Sequence, residues 1–248
     1  MTKLSYTDTD TGTPIIFIHG LGARKESWKH QLPLSTNYRL IMVDLRGHGE
    51  TVENENLSVK NFATDVIELI DSLNIKAAYI CGLSLGGFVA QEIHVQRSDL
   101  VAGLILASTT AYIPKFYEHG AIAEARRDYE NGSLLDDIVA RGIVDKSFTE
   151  DAKDAFLIRD SYLEAARAVF GLNYFYDLPS IKVPVLLIGG RQDKVIPIVN
   201  ISLMAKWLKN HKSMILENAG HLCNIEKASE FNSTVSGFLF GLYCQNRI

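Results

Sequence analysis

The sequence predicts an α/β fold, a mostly parallel sheet with helices on both faces. Short apolar runs alternate along the chain with longer segments whose apolar residues have helical spacing, an alternation typical of βαβ units. The chain has 248 residues, of which 47% are hydrophobic, and this is enough for one large core. No repeat or low-complexity segment indicates separate domains.

The predicted strands and helices follow one another in a regular order. Residues 76–81 are short and mostly apolar, as in a strand covered on both faces, and residues 85–97 carry Phe88 and Ile93 at helical spacing without a proline. The same analysis predicts strand 14–18, strand 39–43, helix 59–73, strand 76–81, helix 85–97, strand 101–107, an insertion, strand 184–189, helix 198–208, strand 212–216 and helix 225–240. Since sites in such sheets gather at the carboxyl ends of the strands, residues that follow strands are the candidates for function.

A G-x-S-x-G motif, Gly82-Leu83-Ser84-Leu85-Gly86, lies between a predicted strand and a predicted helix. The glycines keep the surroundings of Ser84 free of Cβ atoms, so the strand can turn sharply into the helix with the serine strained at the apex. A serine needs such exposure, with a base and oxyanion donors beside it, to act as a nucleophile. The motif alone occurs by chance, but its strand and helix context favours Ser84 as a nucleophile.

Among seven histidines, His221 is the best candidate for the base. It lies in Asn218-Ala219-Gly220-His221, after predicted strand 212–216 and before the last helix, where it can approach a serine at the end of a central strand. The other histidines lie in a turn, in a glycine-rich loop, on the helix after Ser84 or in polar stretches: His19, His48, His94, His30, His119 and His211.

Asp193 is the candidate for the acid that orients the imidazole. It follows the apolar run 183–190, although its position is equally compatible with an ordinary turn aspartate. The order Ser84, Asp193, His221 is the one used by hydrolases with a G-x-S-x-G elbow, whereas chymotrypsin-like and subtilisin-like enzymes have other orders. Asp44, at another strand end, is the rival acid. Cys223 is a weaker rival nucleophile because it has no elbow.

Composition excludes several classes of function. The net charge is −4 without a basic patch, so nucleic acid is not expected as a partner, and no apolar run has the length of a membrane span. The residues Met1 to Ser5 lack the apolar core of an export signal, so we expect a cytoplasmic protein. Its three widely spaced cysteines have no metal-ligand pattern and are expected to be free thiols in a reducing compartment.

Five segments in order resemble the α/β-hydrolase superfamily, and in particular its small capped serine esterases and lactonases. They are Ile18-His19-Gly20-Leu21-Gly22, Asp44-Leu45-Arg46-Gly47-His48-Gly49, Gly82-Leu83-Ser84-Leu85-Gly86-Gly87, Gly190-Arg191-Gln192-Asp193 with Pro197, and Gly220-His221 with Glu226. The resemblance covers nearly the whole chain and implies the α/β-hydrolase fold with a catalytic triad of Ser84, Asp193 and His221. It further implies an oxyanion hole made by the backbone N–H groups of Leu21 and Leu85. His19 and the segment 44–49 are then structural.

The resemblance also implies the domain organisation. Residues 1–110 and 177–248 form the hydrolase core, and residues 111–176, named here the cap segment, form an inserted helical cap over the site. Helical patterns at 122–130 and 149–170 agree with this. Only Lys3 to Thr7 precedes the turn before strand 14–18, whereas many relatives have two strands there, so we expect about seven strands.

The function expected from the resemblance is hydrolysis of carboxylic esters or lactones of small, largely apolar substrates, without a metal or organic cofactor. A serine at the elbow argues against the haloalkane dehalogenase and epoxide hydrolase branches, which need a carboxylate there. Two alternatives remain open: a carbon–carbon bond hydrolase of the same fold, and a ligand-sensing protein with slow turnover. A monomer and a homodimer are both compatible with the sequence.

The cap segment supplies the candidates for substrate contacts. Four of its aromatic residues, Phe116, Phe148, Phe170 and Tyr174, are expected to influence acyl-chain preference. A dicarboxylate lactone would instead need cations at the pocket, for which the candidates are Arg126, Arg127, Arg159 and Arg167.

Overall fold

The computed structural model describes residues 2–245, in which seven strands form one sheet of order β1-β3-β2-β4-β5-β6-β7. β1 pairs antiparallel with β3, and all other neighbouring strands are parallel. The predicted mostly parallel sheet of about seven strands is thereby confirmed. The strands are β1 Tyr6–Asp8, β2 Thr13–Ile18, β3 Tyr38–Val43, β4 Ala78–Leu83, β5 Val101–Ala107, β6 Val185–Gly190 and β7 His211–Leu216.

Helices cover both faces of this sheet. They are α1 Val59–Ser72, α2 Leu85–Arg97, α3 Glu118–Glu130, α4 Leu134–Gly142, α5 Thr149–Asp154, α6 Tyr162–Arg167, α7 Val199–Trp207, α8 Cys223–Glu226 and α9 Ala228–Gln245. Short 3₁₀ segments lie at Lys25–Thr36, Ser98–Leu100, Lys115–Tyr117, Lys146–Phe148 and Leu178–Ser180. None of the helices within residues 2–245 is long and apolar enough to cross a membrane.

The central strands are buried on both faces, which explains their continuous apolar sequences. Consecutive side chains of a strand point to opposite faces. In β2, Ile16 and Ile18 lie in a core shared with α1 and α2, whereas Ile15 and Phe17 lie in a second core shared with α9. In the second core, the rings of Phe17 and Trp28 have centroids 4.9 Å apart. Two cores thus hold the sheet rigid beneath the loops at its carboxyl end.

The cap segment lies between β5 and β6 and contains α3 to α6. The prediction of one helix over 149–170 is wrong, because α5 ends at Asp154 and α6 begins at Tyr162. Residues 155–157 instead pair with the loop that follows β2. Arg24 N donates to Ala155 O over 3.0 Å, and Leu157 N donates to Gly22 O over 3.1 Å. The Ala155 carbonyl and the Leu157 N–H are used in this pairing instead of continuing the helix, and helical periodicity does not reveal such a tertiary contact.

Two further differences from the predicted elements lie beside the site. β4 extends to Leu83 rather than ending at Cys81, because Gly82 and Leu83 pair with the end of β5. The predicted helix 225–240 is two helices, α8 and α9, separated at Lys227, where φ is −127°. Ser84 therefore follows its strand directly, and a short helix follows the loop that carries His221.

Candidate active site

Ser84 occupies the turn between β4 and α2 in a conformation that few residues adopt. Its φ is 55° and its ψ is −115°, outside the regions that L-residues favour. Close backbone packing requires both flanking glycines. A Cβ on Gly82 would lie 2.1 Å from Gly86 O, and a Cβ on Gly86 would lie 2.1 Å from Ile18 O. The G-x-S-x-G motif therefore forms the strained strand-to-helix turn, with Ser84 half-buried at its apex.

Asp193 and His221, which follow β6 and β7, form a buried hydrogen-bonded pair. His221 Nδ1 lies 2.8 Å from Asp193 Oδ2, and the two side chains are 9% and 1% exposed. Asp193 Oδ1 accepts from the N–H groups of Val195 and Ile196, each at 2.8 Å. Because an ionised carboxylate only accepts, Nδ1 of His221 carries the proton and Nε2 is the basic nitrogen. This tautomer is the one that a general base requires.

One cavity of about 380 Å³ joins the serine and the histidine. Ser84, His221, Gly20 and Leu21 all line it, whereas Asp193 lies behind His221. Within the described residues no hydrogen bond joins Ser84 to His221, and such contacts often tighten only when substrate is bound. The remaining wall is mostly apolar, and the cap segment contributes Ile122, Leu134, Ile138, Phe156, Tyr162 and Phe170.

The backbone N–H groups of Leu21 and Leu85 have no hydrogen-bond partner among residues 2–245. Leu85 is the first residue of α2. N–H groups at a helix N-terminus lack a partner within the helix, and the positive end of the helix dipole lies there. Its side chain is buried in the core, and only its backbone adjoins Ser84. Leu21 lies at the cavity wall beside the serine. Both amides are therefore available to an anion that forms next to Ser84.

Asp44, the rival acid, is fully buried and bonded to other groups. Its Oδ1 accepts from Lys25 N over 2.6 Å, and its Oδ2 accepts from Lys25 Nζ over 3.1 Å and from Glu50 N over 2.9 Å. The Lys25 ammonium also contacts Glu50 Oε2 at 2.5 Å. The carboxylate thus ties the loop after β3 to the loop after β2, which supports the bracing role that the sequence indicated.

His19 and His48 are buried with their ring centroids 5.1 Å apart. His19 Nδ1 donates to Gly20 O over 2.7 Å, and its Nε2 accepts from Leu45 N over 3.1 Å. Burial lowers the pKa of both rings, and together with the neighbouring His19 it lowers the pKa of His48 to about 3. At neutral pH both histidines are therefore uncharged structural groups between the loops after β2 and β3.

The lowered pKa of His48 predicts that the folded protein loses stability in acid. The unfolded His48 takes up a proton near pH 6.5, but the folded one does so only near pH 3, so folding stability falls as the pH decreases across that window. The slope from one such group is about 1.4 kcal/mol per pH unit. The negative charge of Asp44 raises the pKa of His48 and so opposes this shift, whereas the positive charge of Arg159 lowers that pKa further.

The measurement is urea unfolding of wild type and His48→Gln between about pH 7 and pH 4. Glutamine retains a donor for Arg46 O, which accepts from His48 Nδ1 over 3.0 Å. We expect the free energy of unfolding to decline less steeply with acid in the variant. Equal slopes for the two proteins would contradict the prediction.

The surroundings of Cys223 make it a poor nucleophile. Its thiol is fully buried and lies 3.5 Å from Ser108 Oγ. Burial raises its pKa to about 12, and the charges of Asp193 and Glu226 act in the same direction. Because only the thiolate is reactive, this cysteine is inert at neutral pH.

The cap arginines named from the sequence do not line the cavity. Arg126, Arg127 and Arg167 line a separate groove on the outer side of α3. Arg159 donates to the carbonyl oxygens of Gly49 and Thr51. Their charges therefore serve surface and loop contacts rather than the space beside Ser84.

The charged residues at the cavity wall are instead Arg141, Lys194 and Glu124. Arg141 Nη1 lies 3.4 Å from Glu124 Oε1, so these two charges largely offset one another. Lys194 could have been suspected from its position directly after Asp193. No sequence signal marked Arg141, because its direction depends on how α4 packs against the core.

Of the four predicted aromatic residues, only Phe170 lines the cavity. Phe116 is 76% exposed, Phe148 packs against the second core, and Tyr174 is buried with its hydroxyl donating to Glu92 over 2.6 Å. Phe156 and Tyr162, two further aromatic residues of the cap segment, also line the cavity, and the one cavity aromatic that the sequence analysis did not consider is Trp28 from the core.

Comparison with known proteins agrees with the fold and with the motifs. The family model described as the alpha/beta hydrolase family matches residues 15–234. The chain belongs to this family. It is 31% identical over 238 residues to 3-oxoadipate enol-lactonase 1 of Acinetobacter baylyi, a match that covers 91% of this chain and 88% of that protein.

Two solved structures of the same fold are also similar. The enol-lactonase from Burkholderia xenovorans LB400 matches with a TM-score of 0.87 and 26% identity, covering 96% of this chain and 97% of that chain. A thermophilic esterase from Thermogutta terrifontis matches with a TM-score of 0.87 and 25% identity, covering 96% and 93% respectively. The chain is thus an α/β hydrolase with esterase and lactonase relatives.

Proposed function

We propose that the protein hydrolyses carboxylic esters or lactones through an acyl-enzyme formed on Ser84. The observation that carries the proposal is the buried His221–Asp193 pair, with His221 on the same cavity as the strained Ser84. The esterase and enol-lactonase relatives support this choice of bond.

In the proposed reaction, His221 Nε2 takes the proton of Ser84 Oγ as that oxygen attacks the carbonyl carbon. Asp193 holds the imidazole in the required tautomer and stabilises its charged form. The N–H groups of Leu21 and Leu85 donate to the oxyanion of the tetrahedral intermediate. His221 then protonates the leaving alkoxide, and a water molecule repeats the sequence on the acyl-enzyme. Every group used in these steps comes from the protein or from water.

The cavity wall suggests which substrates fit. We propose that the cap segment is a substrate-selecting cap inserted between the two parts of a hydrolase core, residues 1–110 and 177–248. Its apolar side chains and the mutually offset charges of Arg141 and Glu124 favour small, largely uncharged acyl groups. The cytoplasmic location and the monomer or homodimer expected from the sequence stay predictions.

A substrate panel tests the proposal. The turnover number and kcat/KM are measured for p-nitrophenyl esters of increasing acyl length, for neutral lactones and for lactones that carry a carboxylate. We expect turnover of several uncharged esters with an optimum in acyl length. Negligible turnover, together with a ligand-dependent rise in Tm, would favour the ligand-sensing alternative. Much faster turnover of the carboxylate lactones would make Arg141 and Lys194 the leading substrate contacts.

The acyl-length optimum should change when a cavity aromatic is shortened. Phe170→Ala enlarges the cavity, so we expect its kcat/KM optimum to move to longer esters, with hydrolysis of the acetate ester largely retained. An apolar pocket distinguishes two substrates that differ by one methylene by about 1 to 3 kcal/mol, and we expect changes in relative kcat/KM of this size. Phe116→Ala is the matched control, since the same atoms are removed from an exposed position outside the cavity. An unchanged optimum in Phe170→Ala, or an equal shift in the control, would contradict the assignment.

A further inference from the structure

Glu226 is a buried carboxylate that links the cap segment to the loop that carries His221. This loop, residues 217–222, is named here the histidine loop. Its Oε2 accepts from Gly220 N over 2.6 Å, directly before His221. Its Oε1 accepts from Val144 N over 2.7 Å and from Asp145 N over 2.8 Å, just beyond the end of α4. The residue is only 5% exposed. One side chain thus satisfies three backbone donors in two segments that are far apart in sequence.

A second contact joins the same two segments on the other side of His221. Leu222 N donates to Gly142 O over 2.8 Å, so the neighbours of His221 on both sides are bound to residues 142–145 or to the carboxylate that holds them. The approach is close, because a Cβ added to Gly220 would lie 2.7 Å from Gly142 O. The histidine loop is therefore packed against cap backbone, which cannot move without moving the loop.

The loop after β2, which carries Leu21, is attached to the cap segment in a similar way. Gly22 and Arg24 form backbone hydrogen bonds with Leu157 and Ala155. Two of the loops that carry proposed catalytic groups, those of Leu21 and His221, thus depend on the cap segment for part of their backbone hydrogen bonding. A cap that only covered the substrate would not need hydrogen bonds to these loops.

We infer that Glu226 is a positioning residue, which sets His221 in place for catalysis by fixing its loop to residues 142–145 of the cap segment. The inference rests on the proposed function, in which His221 is the base. Glu226 does not touch the reacting atoms. It acts through Gly220 and makes the cap a support for the catalytic histidine as well as a wall of the substrate cavity.

Glu226→Gln is the sharpest variant because it keeps the shape of the side chain. The amide has one oxygen and one NH₂ group, so it can accept either from Gly220 or from the pair Val144 and Asp145, and it places a donor against the other N–H. The variant therefore loses either the hydrogen bond from Gly220 or those from Val144 and Asp145, and it leaves no cavity because the side chain keeps its size. Asp8→Asn is the matched control, since the same change removes one of the two acceptors for Arg39 at the edge strand β1, outside the cavity.

A second variant removes a donor from the cap side. Proline at position 144 has no N–H, and the preceding Ile143 already has φ −120° and ψ 156°, the extended conformation that proline requires of it. Val144→Ala keeps the N–H and is the control. Val144 is 39% exposed, so neither change disturbs a core.

The experiment measures kcat and KM for p-nitrophenyl acetate, normalised to the active fraction titrated to completion with a fluorophosphonate. Amide hydrogen exchange is followed in peptides that cover 142–146 and 218–223. We expect kcat to fall about tenfold or more in Glu226→Gln and about threefold or more in Val144→Pro, because small misplacements of catalytic groups have large effects on rate. KM should change little, exchange should rise in at least the peptide whose N–H loses its acceptor, and the two controls should match wild type in kcat.

The outcomes separate the inference from the proposed function. A wild-type enzyme that hydrolyses esters, with a Glu226→Gln variant whose normalised kcat is within about twofold of it, would reduce Glu226 to a fold-stabilising residue and overturn the inference. Unchanged exchange in both peptides of Glu226→Gln would also overturn it, because Glu226 would then not hold the two segments together. Absence of both labelling and turnover in wild type would overturn the proposed function, and the inference with it.

Discussion

Replacing Ser84 with alanine should abolish ester hydrolysis while leaving the fold intact. The turn accepts the smaller side chain, whose Cβ is already present, and Ser84 is the hydroxyl that lies at the strained elbow on the same cavity as His221. Loss of a triad nucleophile lowers kcat by at least about 10⁴-fold in hydrolases of this kind, and binding and the oxyanion hole provide what remains. The measurement is kcat/KM on the best ester of the panel, together with covalent labelling by a fluorophosphonate.

The control for this variant is its folding. Thermal unfolding and far-ultraviolet circular dichroism should match those of wild type, since Ser84 N still donates to Ala107 O and Ser84 O still accepts from Gly87 N. Labelling that persists in Ser84→Ala, or hydrolysis at a comparable rate, would show that the nucleophile is another residue. Cys223 would then be tested next, although its burial and raised pKa argue against it.

The second large effect is expected at His221 and Asp193. His221→Ala removes the base and should be as damaging as the serine change, because the triad members act as a unit. Asp193→Asn keeps the size of the side chain but favours the wrong imidazole tautomer, and in a comparable triad this change costs about 10⁴-fold in kcat. Both variants are compared with wild type by kcat and by the rate of fluorophosphonate labelling, which also needs the base.

Asp44→Asn separates the two candidate acids. Asp44 is bonded to Lys25 and Glu50 rather than to His221, so we expect this change to lower Tm and to leave kcat per active site within about tenfold of wild type. An Asp44→Asn enzyme that folds normally and loses as much activity as Asp193→Asn would move the acid to the earlier strand.

The parts of the site that could be predicted from the sequence are those set by local rules. Gly82 and Gly86 are needed because any Cβ there meets backbone, and that steric demand leaves a motif that the sequence displays. Asp193 and His221 follow strands of a parallel sheet, and the carboxyl ends of such strands meet at one edge. The central strands could also be predicted from local sequence, because a strand covered on both faces is apolar throughout and does not alternate between apolar and polar residues.

The parts that were missed depend on contacts between distant segments. The break between α5 and α6 exists because residues 155–157 pair with the loop after β2. Arg141 lines the cavity, and Phe116 does not, because of the way the cap helices pack against the core. The carboxylate of Glu226 bonds segments about eighty residues apart in sequence, between 144–145 and 226. Periodicity and motif spacing carry no information about such pairings.

Rapid acid quench followed by peptide mass spectrometry tests the central claim, acyl transfer through Ser84, most directly. The enzyme is mixed with a slowly deacylating p-nitrophenyl ester, quenched during the burst of p-nitrophenol, and digested. We predict about one equivalent of burst product and the mass of the acyl group on the peptide that contains Ser84. The acyl mass on the peptide that contains Cys223, or hydrolysis without a burst and without any acylated peptide, would contradict the account.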